Sequence, residues 1–138
     1  MAVHLYEKYV FKGATFADFN RHGAPLVIIN ASDLGSGLRF SFLQEYFDLL
    51  CSDLSSYPVS RAVTASSAVP VMFNPVVLEN FGGCRNQSQQ YLHDTQMINP
   101  SPQIIQTLEG LANYADKTEN RYIHLVDGGI TDNLGLMA

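Results

Sequence analysis

The sequence is poor in basic residues, in long apolar runs and in cysteine. It has 8 Lys and Arg against 13 Asp and Glu, with a net charge of −5, so it lacks the basic face that binding to a nucleic-acid backbone requires. Its longest unbroken apolar run, Leu26–Ile29, is far shorter than the ~20 residues of a membrane-spanning helix. Residues 1–13 mix charged and aromatic side chains and have no apolar core of the kind found in signal peptides. We therefore predict no nucleic-acid binding and no signal peptide or transmembrane helix in this segment, which leaves the cellular location open.

The two cysteines, Cys51 and Cys84, are too few for a disulfide framework and do not have the CxxC spacing of a zinc site. We expect two unpaired thiols, because a bridge between them would need an oxidising compartment. The aspartates also lack the spacing of metal ligands, and most of them are typical of turns, caps and solvated positions. The sequence therefore predicts no metal site.

The length and the apolar fraction fit one folded domain. A chain of 138 residues with 46% apolar residues can bury a sizeable core, since ~150 residues bury roughly 70% of their unfolded surface. The β-branched run Pro25–Asn30 predicts a strand buried on both faces, as in a parallel sheet. After the turn signal in residues 33–37, Leu38, Phe40 and Phe42 alternate with polar residues, which predicts a half-buried strand and a hairpin-like pair.

Helices and extended segments alternate in the rest of the chain. We predict a short helix over residues 43–50 and a buried helix from Val59 to about Ala68, made of small residues. Residues 73–78 read as extended, residues 82–101 as a long polar loop, and Ser101 as the N-cap of a helix that begins at Pro102. Tyr122–Val126 is the last predicted strand. This order predicts an α/β layered fold, in which chemistry is found at the carboxyl ends of strands, where Asp127 lies.

Asp127, Gly128 and Gly129 form the most informative motif. Ile123 and Leu125 share one side of the strand with Asp127, whereas His124 faces the other side. Glycines beside the carboxylate leave it unobstructed and allow a ligand or a backbone segment to approach closely. Spacing alone leaves two interpretations open, a tight Asp-Gly turn and a catalytic or ligand-binding aspartate.

Three stretches together resemble the patatin-like phospholipase family. They are INASDLGSGLRFSF (29–42), SRAVTASSAVPVMFNPV (60–76) and VDGGITDNLGL (126–136), in the family's order. The resemblance implies a three-layer α/β/α sandwich with a mainly parallel sheet, and hydrolysis of lipid acyl esters without a metal or an organic cofactor. It also implies a Ser-Asp dyad, in which Asp127 is the catalytic base and Gly128 and Gly129 form the supporting turn.

The family's serine nucleophile has no counterpart here. It occupies a G-x-S-x-G elbow, and none of the serines in this chain has glycine at both −2 and +2. Residues 1–138 are therefore interpreted as the carboxy-terminal part of a single, incomplete patatin-like acyl hydrolase domain, inactive alone. The partner implied is a lipid or acyl ester substrate at a membrane surface. No histidine follows Asp127, so the Ser-Asp-His order of α/β-hydrolases is not met.

A second function stays open. The chain is alternatively a non-catalytic fragment or pseudoenzyme that binds lipid or protein through its grooves. An aspartic-protease interpretation of Val126–Gly129 would need two such segments in a symmetric dimer, and Gly128 lacks the hydroxyl expected there. An upstream segment with a G-x-S-x-G motif after a strand would favour the enzyme over the binding protein.

Overall fold

The computed structural model describes residues 2–19, 22–84 and 102–134. The amino-terminal segment is helical, with α1 (Ala2–Leu5), a π-helical stretch (Tyr6–Phe11) and a 3-10 turn (Phe16–Phe19). There follow β1 (Asn30–Asp33), β2 (Leu38–Ser41), α2 (Gln44–Leu49), α3 (Val59–Ser66) and β3 (Val76–Glu79). The last part comprises α4 (Pro102–Ala112), a 3-10 turn (Asn113–Ala115), β4 (Tyr122–Val126) and the short helix α5 (Gly129–Asp132). The predicted N-cap Ser101 and most of the predicted polar loop, residues 85–101, lie outside the described residues.

The four strands form one sheet in the order β2-β1-β4-β3, and each neighbouring pair is antiparallel. The predicted three-layer α/β/α sandwich with a mainly parallel sheet is therefore wrong. β1 and β3 run in the same direction and are separated by helices in the sequence, as in a parallel crossover. β4 is inserted between them and runs the opposite way, so each of them pairs with an antiparallel neighbour.

The β1–β2 hairpin is confirmed, but the predicted position of its first strand is wrong. Asn30 pairs with Ser41 and Asp33 with Leu38 across the turn. The apolar run that predicted a doubly buried strand precedes β1, and Leu26 within it is 80% exposed. The reason is that both neighbouring strands end at this level. β2 is followed by α2 and β4 is followed by α5, so neither neighbouring strand continues beside the apolar run.

Helix α3 is confirmed as a buried helix of small residues. Ser60, Ala62 and Ala65 are fully buried, and the helix contacts β1, β4 and the amino-terminal π-helical stretch. The short side chains allow this close approach, so the helix can cover the sheet at a small distance. On β2 and just beyond it, Phe40 and Phe42 are also fully buried, with ring centroids 5.4 Å apart in an edge-to-face arrangement.

The two cysteines are joined by a disulfide, so the expectation of unpaired thiols is wrong. Cys51 and Cys84 are separated by 33 positions in the sequence, yet their Cα atoms lie 5.5 Å apart. The residues before them bring the two segments together, because the Phe81 amide donates a hydrogen bond to the Leu50 carbonyl at 3.1 Å. The bridge thus closes the loop that contains α3 and β3.

Candidate active site

Asp127 lies where β4 ends and is partly buried. The alternation predicted for the strand is confirmed as far as Leu125, since Ile123 and Leu125 are buried while Tyr122 and His124 are exposed, and it ends at Val126. Val126 is buried as well. His124 therefore faces away from the core side of the strand.

Three hydrogen bonds, to β1 and to the end of α3, fix the backbone around Asp127. Its amide donates to the carbonyl of Ala68, just beyond α3, at 3.0 Å. Its carbonyl accepts from the buried hydroxyl of Ser32 on β1 at 2.8 Å. The next amide, of Gly128, donates to the carbonyl of Ser66 at 3.2 Å. A side chain on a backbone held in this way is well positioned for chemistry.

The Asp127 carboxylate has one occupied and one open oxygen. Oδ1 accepts a hydrogen bond from the Gly129 amide at 2.7 Å, which closes a local turn. Within residues 2–19, 22–84 and 102–134, no group donates a hydrogen bond to Oδ2. The carboxylate is thus oriented through one oxygen and can accept a proton on the other.

The two glycines of the motif differ in what an added Cβ would meet: backbone at Gly128 and only the ends of side chains at Gly129. A Cβ on Gly128 would lie 2.6 Å from the carbonyl oxygen of Asn30 on β1. A Cβ on Gly129 would lie 2.8 Å from Oδ1 of Asn133 and 3.0 Å from Oδ1 of Asp127. Gly128 therefore allows α5 to approach the sheet backbone, and Gly129 leaves space for the carboxylate.

Asp127 lines a cavity of about 490 Å³. Its walls are mixed, with apolar side chains before β1 and on α3 and polar groups around the strand end: Ile28, Ile29, Asn30, Val63, Ser66, Ser67, Gly128, Gly129, Asp132, Asn133 and Leu134. A cavity of this size suits a small ligand or part of an acyl chain. A larger cavity of about 750 Å³ does not include Asp127 and is lined mainly by apolar residues such as Phe16, Phe42 and Leu54.

The two serines in the Asp127 cavity do not have the geometry of an activated nucleophile. Ser66 is the last residue of α3 and Ser67 is its C-cap, whereas a nucleophile elbow joins a strand to the start of a helix. The Ser67 hydroxyl donates to the carbonyl of Val63 at 2.9 Å, a local contact within the helix end. In the described part of the chain, no serine hydroxyl hydrogen-bonds to the Asp127 carboxylate.

A second Ser-Asp pair is present in the β1–β2 turn. Ser36 donates its hydroxyl proton to Oδ2 of Asp33 at 2.7 Å, and the buried Tyr114 hydroxyl donates to the same oxygen at 2.9 Å. The Gly35 amide occupies Oδ1 at 2.9 Å. Burial, followed by the adjacent Asp33 charge, raises the pKa of Tyr114. Because both oxygens of this buried carboxylate accept hydrogen bonds, the pair serves to close the turn, and it is not a free base.

Sequence reasoning missed the groups that support the strand end. The Ser32 and Thr131 hydroxyls are hydrogen-bonded at 2.8 Å, and Arg39 on β2 contacts the Asp132 carboxylate at 3.5 Å. The signal in the sequence was the presence of polar residues inside short strands, since a polar group that is buried there needs a hydrogen-bond partner. The sequence does not identify the residue to which each of these polar groups is bonded.

The described residues include no group of three or more His, Cys, Asp or Glu side chains that could hold a metal ion. Among the helices of this part of the chain, none combines the length and apolar character needed to cross a membrane. Comparisons with known protein families, with curated proteins and with solved structures found no match for this chain.

Proposed function

We propose that the chain is the carboxy-terminal part of a patatin-like lipid acyl hydrolase, in which Asp127 is the base of a Ser-Asp dyad. The observation that carries the proposal is the Asp127 carboxylate, oriented by the Gly129 amide and lining a cavity of about 490 Å³. The resemblance in residues 29–42, 60–76 and 126–136 supplies the substrate class. The proposal rests on this strand end and does not require a parallel sheet.

The reaction would proceed through an acyl-enzyme. A serine hydroxyl from a segment outside these 138 residues attacks the ester carbonyl, and Asp127 accepts its proton. The tetrahedral intermediate collapses as the leaving alcohol takes up that proton, which leaves the acyl group on the serine. Water then attacks the acyl-serine and Asp127 accepts a proton from this water. As the fatty acid leaves, Asp127 returns that proton to the serine oxygen, which regenerates the hydroxyl and the carboxylate. Backbone amides of the segment with the serine would stabilise the negative oxygen of the intermediates.

The test is ester hydrolysis by the protein that carries its upstream segment, measured with p-nitrophenyl decanoate. We expect Asp127→Asn and Asp127→Ala each to lower kcat by about 100-fold or more, since general-base catalysis contributes typically 10²–10⁴-fold. Asp53→Asn is the matched control, because Asp53 is an exposed carboxylate in a surface turn and should leave turnover unchanged. Undiminished turnover in both Asp127 variants would contradict the assignment.

A second candidate is a non-catalytic protein that binds lipid or protein. The observation that favours it is the position of Ser66 and Ser67 at a helix end, where neither is built as a nucleophile. A fluorophosphonate probe distinguishes the two functions. Labelling of a single serine in the protein with its upstream segment supports the hydrolase, whereas no labelling together with ligand binding supports the binding protein.

A further inference from the structure

The segment between α3 and β3 exposes apolar side chains to solvent. We call residues 69–73 the apolar loop. Val71 is fully exposed, Met72 is 74% exposed and Phe73 48%. Large apolar side chains that are adjacent and exposed mark interaction sites more often than single exposed ones do.

The apolar loop is a folded turn. The amides of Met72 and Phe73 both donate to the carbonyl of Val69, at 3.2 and 3.0 Å. Val71 has a φ of 76°, in the left-handed region that β-branched residues rarely adopt. A strained backbone of this kind persists only where the surrounding structure holds it. The loop is therefore a hydrogen-bonded turn that presents three adjacent apolar side chains to solvent.

Charge and position favour a lipid surface as the partner. From Ala62 to Leu78 the chain has no charged residue, although its net charge is −5. The loop begins directly after Ala68, whose carbonyl binds the Asp127 amide at 3.0 Å. A bilayer interior accepts apolar side chains and excludes charged ones. The uncharged loop therefore follows closely on Ser67, which lines the cavity whose proposed substrate is a lipid.

We propose that the apolar loop inserts into the surface of a zwitterionic phospholipid membrane and brings the Asp127 cavity to the lipid–water boundary. This inference rests on the proposed function for its choice of partner. Insertion would be shallow, about 5–10 Å, as for other interfacial apolar segments. A negatively charged membrane would bind less well, because the chain is itself negative.

Tryptophan fluorescence tests the insertion directly, because the chain has no tryptophan of its own. Phe73→Trp places a probe in the loop, and Tyr122→Trp is the matched control on β4, since the two parent residues are 48% and 49% exposed. With dioleoylphosphatidylcholine vesicles we expect a blue shift of the Phe73→Trp emission and its quenching by brominated phosphatidylcholine. The emission of Tyr122→Trp should not change. Equal changes in both probes, or none in either, would overturn the proposal.

Vesicle sedimentation of the 138-residue chain tests the contribution of the loop to binding. Met72→Ser should weaken partitioning into the same vesicles by about tenfold, as expected for withdrawing one large apolar side chain from hydrocarbon. Leu26→Ser is the control, because Leu26 and Met72 are similarly exposed, at 80% and 74%. The Leu26→Ser variant should partition into the vesicles like the unmodified chain. Equal weakening by both changes, or no effect of Met72→Ser, would contradict insertion through the loop.

The two proposals can fail separately. If Phe73→Trp inserts but the protein with its upstream segment hydrolyses no ester, the lipid surface stands and the hydrolase does not. If a water-soluble short-chain ester is hydrolysed in an Asp127-dependent manner but the loop probe never responds to vesicles, the hydrolase stands and insertion is refuted.

Discussion

Replacing Gly128 by alanine should destabilise the fold, because the new methyl group would collide with the backbone of a neighbouring strand. The added Cβ would lie 2.6 Å from the carbonyl oxygen of Asn30, 3.1 Å from its carbonyl carbon and 3.5 Å from the Cα of Ala31. A backbone carbonyl cannot rotate away as a flexible side chain can. Either α5 or β1 must therefore move.

The size of the effect follows from two opposing terms. Overpacking costs about 1–3 kcal/mol, and a contact with backbone belongs at the upper end of that range. Gly128 has φ −63° and ψ −23°, which alanine adopts readily, so the change also gains about 0.4–1 kcal/mol by restricting the unfolded chain. The expected net loss is about 2 kcal/mol of unfolding free energy, or roughly 7 °C in Tm for a chain of this length.

Urea unfolding followed by circular dichroism measures this loss. Gly82→Ala is the control, because its Cβ would meet only the Lys117 side chain, at an ordinary contact distance of 3.6 Å. The unfolding free energy of this control should equal that of the unmodified chain or exceed it by up to about 1 kcal/mol. A Gly128→Ala variant as stable as the Gly82→Ala variant would refute the close approach of α5 to β1.

Further predictions concern the hydrogen bond between Tyr114 and Asp33 and the disulfide. Tyr114→Phe should lower the unfolding free energy at pH 7 by about 1.5–3 kcal/mol, because the Asp33 carboxylate loses a buried donor. Burial raises the pKa of Tyr114 above its ordinary value of 10.0. Above pH 10 the hydroxyl therefore ionises in the unfolded chain before it does so in the folded one. The unfolding free energy of the unmodified chain should then fall by up to ~1.4 kcal/mol more per pH unit than that of the variant. If urea unfolding shows the same change in unfolding free energy between pH 10 and pH 11 for both proteins, this prediction is contradicted. Replacing Cys51 and Cys84 by serine should cost about 4 kcal/mol, given the 33-residue separation, and an unfolding midpoint insensitive to reductant would argue against the bridge.

Elements with a strong local signal were predictable. The turn in residues 33–37 and the alternation around Phe40 predicted the hairpin, and Tyr122–Val126 predicted β4 within its bounds. The small residues of α3 predicted a buried helix because size alone determines how closely a helix can approach a sheet. In each case the information lies within a few consecutive residues.

Features that depend on distant partners were not predictable. The pairing of β1 and β3 with an antiparallel neighbour depends on β4, which is inserted between them and lies far along the chain. The exposure of Leu26 depends on where β2 and β4 end, and the disulfide depends on how the chain returns to Cys51. For the candidate site, the Asp-Gly-Gly motif indicated Asp127, whereas the Ser32 hydroxyl that binds its carbonyl comes from β1 and gave no signal of that role.

The position of β4 in the sheet has a consequence for the order of assembly during synthesis. A growing chain on the ribosome contains β1, β2 and β3 well before the strand that must lie between them, because β4 spans Tyr122–Val126. Until that strand emerges, the hairpin and β3 have no common neighbour and expose unpaired backbone edges. Within the described sheet, the earlier strands therefore depend on β4 to join them.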